Sequence, residues 1–208
     1  MMYKIYLILW GIRAFFYKIF FGRFGMPSYI GRPVFLMNVR RMYFGQRVRI
    51  FPGMRGECHG DGRLFINNNV SIGQNFHIIC SSDLHIGEGS LLSGNVFITD
   101  TDHSYTDVSH PVFEQPNVIS KTDIGENCFI GIGARIQAGT ILGKGCVVGA
   151  NSVVRGHFPD YSVIVGAPAR VVKRYNPSTS MWERIHASDN ISSVHNMQTQ
   201  RETNERNS

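Results

Sequence analysis

Aliphatic residues in the middle of the chain recur every six positions. Counted in blocks from Ile66, the leaders are Ile66, Ile72 and Ile78, then Ile86, Leu92 and Ile98. Ile124, Ile130 and Ile136 follow, and then Leu142, Val148 and Val154. The second place is glycine in six blocks, at Gly73, Gly87, Gly125, Gly131, Gly143 and Gly149. The fifth place is mostly small or β-branched, as at Val70, Ser90, Val96, Cys128, Ala134, Thr140, Cys146 and Ser152. A period of six fits neither an α-helix nor the two-residue alternation of a sandwich strand. It predicts a solenoid in which each block is one short strand and one corner. The branched leader then points inward and stacks on its equivalent about 4.8 Å away in the next coil. Glycine is expected where a corner needs a positive φ or close backbone approach.

The blocks group in threes, which implies a triangular coil of eighteen residues. Two additional residues, Leu84 and His85, separate the first trio from the second, and twenty, Ser104 to Asp123, separate the second from the third. Upstream, the segment from Phe44 to Arg49 and then Ile50 read as degenerate coils leading in. The solenoid is therefore expected over residues 26–175, with a long loop at 104–123.

Residues 1–25 are rich in large apolar side chains, interrupted by Lys4, Arg13, Lys18 and Arg23. The charge-free runs fall short of the roughly 20 apolar residues that span a bilayer. This zone reads as a helical segment, either packed on its own assembly or lying on the inner membrane surface. Residues 176–208 form a polar tail with one apolar anchor, Met181 and Trp182, and its end is expected to be disordered.

A chain of 208 residues has room for one sizeable domain. Its net charge of +6 suits an anionic partner, whether a phosphate-bearing cofactor, a lipid surface or a nucleic acid. No basic cluster interleaves with aromatics, so nucleic acid ranks last. Cys58, Cys80, Cys128 and Cys146 form no C-x-x-C pair and no zinc-finger spacing. Cys128 and Cys146 hold equivalent inward places one coil apart and read as free thiols used as small fillers. No cleavage-site pattern follows the amino-terminal apolar stretch, and a cytoplasmic protein is expected.

The blocks, the finishing segment Tyr161 to Val172 (YSVIVGAPARVV) and Asp102-His103 before the insertion resemble the hexapeptide-repeat acyltransferases. The likeness is to the branch that acetylates sugars, including galactoside, maltose and surface-polysaccharide O-acetyltransferases, and it covers roughly residues 28–176. It implies an all-β, left-handed parallel β-helix assembled as a homotrimer, with acetyl-CoA as acyl donor. No metal is expected, because His85 and His103 stand eighteen residues apart without a third ligand at zinc-site spacing. It also implies an acceptor hydroxyl on a sugar or lipid-linked glycan. A sugar amine or a small metabolite such as serine is the alternative acceptor. A non-catalytic scaffold is a further alternative, against which His103 speaks.

Acyl transfer from a thioester needs a base, donors for the developing oxyanion, and a slot for CoA. His103 closes the sixth block at a corner, immediately before the insertion, and the histidine in this place is the family's catalytic base. Imidazole is the side chain that titrates nearest neutrality, which suits that role. Asp102, in the fifth place of its block, is expected either to orient His103 or to hold the corner. His77, His85, His110 and His157 show no arrangement that suggests a function. The resemblance assigns Phe129, Gly131, Ile132 and Ala150 to the CoA slot, with the Ile132 N–H facing the thioester carbonyl. Phe129 stands where relatives often carry tryptophan. Arg155, Arg170 and Lys173 fall where relatives meet the CoA phosphates and adenine end. Arg155-Gly156 replaces the family's Thr-Lys, which moves that cation by one place.

Overall fold

The computed structural model describes residues 2–185. A helix, Met2–Tyr17, is followed by a three-sided parallel solenoid. On one side Phe24, Phe44, Ile66, Ile86, Ile124, Leu142 and Phe158 stand in register. On the second, Ile30, Ile50, Ile72, Leu92, Ile130, Val148 and Ile164 do the same. The third aligns Gly56, Ile78, Ile98, Ile136 and Val154. All twelve predicted leaders are buried, so the six-residue period is the stacking period of the core. The upstream coils continue these ladders. At Gly56, where no side chain reaches inward, the ends of Met54, Met42 and Leu36 crowd around the missing Cβ.

The second-place glycines serve close approach alone. A Cβ on Gly131 would lie 2.6 Å from the Ala150 nitrogen, so a side chain there would force adjacent coils away from each other. Positive φ belongs instead to the fourth place of the block, at Asn69, Asn75, Gly89, Asn95, Asn127, Gly133, Gly139, Gly145 and Asn151. Asparagine and glycine tolerate the left-handed region, and the corner needs one such residue to turn the chain.

Two boundaries differ from those the repeat predicts. The solenoid's first strand, Arg23–Phe24, precedes residue 26. At the other end the chain runs antiparallel through Ala169–Asn176 and then Met181–Arg184, where Trp182 packs edge-on against Tyr175 with ring centroids 5.6 Å apart. The Met181–Trp182 anchor thus belongs to the folded sheet. The disorder expected of the tail's end falls on residues 186–208, outside the described residues.

Candidate functional site

The chain leaves the solenoid after Asp100 and re-enters at Ser120, whose N–H donates to the Asp100 carbonyl at 2.8 Å. Between them the strands Thr101–His103 and Asn117–Ile119 pair antiparallel, with His103 opposite Asn117. Gln115 ties the tip: its Nε2 donates to the carbonyls of Asp107 at 2.8 Å and His110 at 3.0 Å. Donation from Ser109 and His110 holds the Asp107 carboxyl below its usual range. The long insertion is therefore an ordered arm over 101–119 rather than a structureless loop over 104–123. Thr122 is buried in the coil, and Asp123 pairs in register with His85. His103 sits at the base of this arm with its side chain exposed.

Asp102 does not occupy the inward place its block position suggested. Successive strand residues point to opposite faces, so its carboxylate lies away from the His103 ring. It pairs with Arg155 at 2.9 Å across the arm's base. Both groups are substantially exposed, and such a pair is worth about 1 kcal/mol or less. Arg155 is thus engaged at the arm rather than grouped with Arg170 and Lys173.

The acid that holds the corner is Asp100, which the repeat pattern does not reveal. Strands His77–Cys80 and Asp83–Ile86 meet at a wide corner, Ser81-Ser82. Throughout the solenoid each coil donates N–H groups to carbonyls of the next, as His77 does to Val96 at 3.0 Å. Above Ser81-Ser82 the following coil has departed into the arm. The Asp100 carboxylate takes the place of those carbonyls. It accepts from the N–H groups of Ser81 and Ser82 at 2.8 Å each, from Ser82 Oγ at 2.6 Å and from Thr101 Oγ1 at 2.8 Å. Its side chain is fully buried. A buried carboxylate is tolerated when donors surround it in this way.

The residues assigned to the CoA slot gather along the second side. Leu91, Phe129, Val147 and Val163 form one outward row, and Lys173 continues it on the closing strand. Leu91 and Phe129 remain more than two-fifths exposed and make a small apolar patch on this row. Arg170 stands opposite Val165 beside the end of the row. At the adjoining corner Gly131 lies over Ala150, and Ile132 is exposed beside them. The Ile132 carbonyl accepts from Asn151 N at 2.9 Å, while no acceptor for its N–H occurs among the described residues. An apolar strip with a cationic end and a spare N–H complements a ligand with an apolar thioester arm and an anionic end.

The cysteines stack as expected and add an unforeseen pair. The sulfurs of Cys58 and Cys80 lie 3.3 Å apart, and all four cysteines are buried free thiols. The neighbouring thiol and burial hold Cys80 and Cys128 in the neutral form, which removes them as nucleophiles. His85 stacks flat on Phe65 with centroids 4.5 Å apart, a packing role.

Comparison with known proteins agrees with this architecture. The family model "Bacterial transferase hexapeptide (six repeats)" matches residues 121–156. The "Putative lipopolysaccharide biosynthesis O-acetyl transferase WbbJ" of Escherichia coli is 36% identical over 160 residues, covering 73% of this chain and 81% of that protein. Galactoside O-acetyltransferase of Escherichia coli is 31% identical over 116 residues, 52% of this chain and 56% of the relative. Among solved structures, the Bacillus cereus N-acyltransferase AntD in complex with dTDP and 3-hydroxybutyryl-CoA superposes with a TM-score of 0.66 at 16% identity. That likeness covers 92% of this chain and 96% of AntD. A hexapeptide-repeat-containing acetyltransferase from Vibrio cholerae gives a TM-score of 0.55 at 23% identity, over 80% and 81% of the two chains. With its six-residue ladders, its left-handed β-helix fold and a relative matched over most of its length, this chain belongs to the hexapeptide-repeat acetyltransferases.

Proposed function

We propose that the protein transfers an acetyl group from acetyl-CoA to a sugar hydroxyl, in the making of a surface polysaccharide or its lipid-linked precursor. The observation that carries this reading is an exposed histidine at the base of an ordered arm, in a chain 36% identical to the "Putative lipopolysaccharide biosynthesis O-acetyl transferase WbbJ". His103 is the general base that removes the acceptor's hydroxyl proton. The Ile132 N–H is the donor to the developing oxyanion. Phe129, Gly131 and Ala150 border the pantetheine arm, and Arg170 and Lys173 meet the phosphates. Bound acetyl-CoA supplies the acetyl group as a thioester. Asp102 and Arg155 act on the arm's base, through their mutual ion pair.

A homotrimer completes the site in this reading. Tyr105, Val108 and Phe113 on the arm are 77%, 99% and 80% exposed, and a neighbouring subunit is the surface that covers them. The acetyl-CoA slot then lies between subunits.

Thiol release from acetyl-CoA with a panel of sugars, amino sugars and serine tests the proposal. Turnover with a sugar hydroxyl and an ester product is expected. An amide product moves the enzyme to N-acetylation, and absence of release with every acceptor favours a binding scaffold. The donor site has its own test. Lys173→Ala or Arg170→Ala should raise KM for acetyl-CoA several-fold with kcat kept, because exposed charge contacts are worth about 1 kcal/mol or less. High salt should erase the effect, as should acetylated pantetheine, which lacks the nucleotide. A change in kcat with donor KM untouched would put the slot on another edge.

A further inference from the structure

The amino-terminal helix is apolar on two opposite faces, and the solenoid uses only one. Leu7, Trp10, Ala14 and Tyr17 turn toward the first coils. Ala14 is fully buried, and Trp10 packs on Tyr29 and Phe51 with centroids 5.8 and 5.6 Å away. Arg13 donates to the carbonyl of Ile30 at 3.2 Å, satisfying an acceptor of the first coil that has no coil before it. The opposite face carries Ile5, Ile8, Leu9, Ile12, Phe15 and Phe16, each at least half exposed. Their spacing of three and four residues makes one continuous stripe. Ile19, at 75% exposure, and Phe20, at 60%, extend it beyond the helix.

Charge around this stripe has one sign. Residues 1–56 contain ten lysines and arginines and no aspartate or glutamate. The remaining chain, with eleven cations and fifteen acids, is net negative. Arg41 and Arg55 are neutralised by Asp61 and Glu57. Among the described residues no ion pair forms at Lys18, Arg23, Arg32, Arg40, Arg47 or Arg49. Arg47 and Arg49 also line an open cleft of about 290 Å³ between the helix and the first coils, with Leu7, Gly11 and Tyr29. A cleft lined by two arginines at the flank of the helix, one of them also donating to Asn69 Oδ1 at 3.0 Å, suits a phosphate-bearing headgroup.

The geometry points to the amino-terminal cap as a docking surface for an anionic lipid bilayer, with the helix lying in the interface. At 16 residues the helix is about 24 Å long, shorter than the roughly 30 Å hydrocarbon core, so it lies on the bilayer rather than crossing it. Apolar insertion and charge attraction together supply the two signals that stable surface binding requires. The trimer's threefold packing would present three such caps toward one plane, and the inference does not depend on which acceptor the enzyme uses.

Co-sedimentation of the full chain with vesicles of phosphatidylcholine, with and without one quarter phosphatidylglycerol, tests this. Binding to the phosphatidylglycerol vesicles is expected, at least about tenfold weaker on phosphatidylcholine alone and weaker again at high salt. The variant I8S/I12S/F16S, which alters only exposed positions, should lose sedimentation while keeping its thermal transition. R47Q/R49Q should keep residual binding and lose the preference for phosphatidylglycerol. Failure of the intact chain to sediment with either vesicle overturns the inference. So does a serine variant that sediments unchanged, or one whose mass by light scattering falls, which would assign the stripe to contact with a second copy.

Discussion

His103→Ala is expected to lower kcat by roughly 10²–10⁴-fold, the usual cost of removing a general base, while the thermal transition stays where it was. The two readouts separate because the imidazole is exposed at the base of the arm. No buried cavity opens when it is removed. Its backbone pairing with Asn117 does not use the side chain. Substrate KM values should change little, since the lost interaction belongs to the transition state. Steady-state turnover beside differential scanning calorimetry decides the matter. A folded variant with wild-type turnover would remove His103 from the chemistry.

Asp100→Ala should be the most destabilising single change near the site, and it should also slow the enzyme. The substitution strips the acceptor from Ser81 N, Ser82 N, Ser82 Oγ and Thr101 Oγ1 at once. Hydrogen bonds to a charged group contribute about 1.5–3 kcal/mol each, though losses within one network do not add. A net cost of about 3 kcal/mol corresponds to a fall in Tm of roughly 6–12 °C for a domain of this size. Asp100→Asn should recover only part of this, because its NH₂ group faces donors that the second carboxylate oxygen had satisfied. Asp100 is a positioning residue: it fixes the corner from which the strand to His103 departs. Its loss should therefore depress kcat more than it raises KM for acetyl-CoA. Wild-type Tm and kcat in Asp100→Ala would sink this account, and Asp102→Ala is the milder control.

The fold is legible in the chain because a stacked coil repeats its inward residue at a fixed interval. Ile124, Ile130 and Ile136 announce themselves without any neighbour being known. The left-handed corners are equally visible as Asn or Gly in the fourth place of nine blocks, although the second-place glycines are the more conspicuous signal and invite the wrong explanation. Asp100 is hidden for a different reason. It holds the third place of its block, which at Glu88 and Glu126 carries an exposed acid. Only the widening at Ser81-Ser82 makes that place inward, and widening is a property of two coils rather than of one motif. The arm's internal order is unreadable for a similar reason, since Gln115 works through contacts across the hairpin. His103 stands out by its position before the insertion and by resemblance, and residue type alone would not single it out.

The arm's two ends meet at one hydrogen bond, from Ser120 N to Asp100 O, while the coils on either side pair through Ile86 and Ile124, and Leu92 and Ile130, as if nothing intervened. An excursion closed at its root is thermodynamically easy to lengthen: doubling a flexible loop costs only about 0.6 kcal/mol in closure entropy. The part of the arm beyond His103 can therefore diverge by insertion or exchange, with the coils left to pair as they do. Evolution, or an engineer, can treat residues 104–116 as an interchangeable cassette, with the strand Thr101–His103 kept at its root.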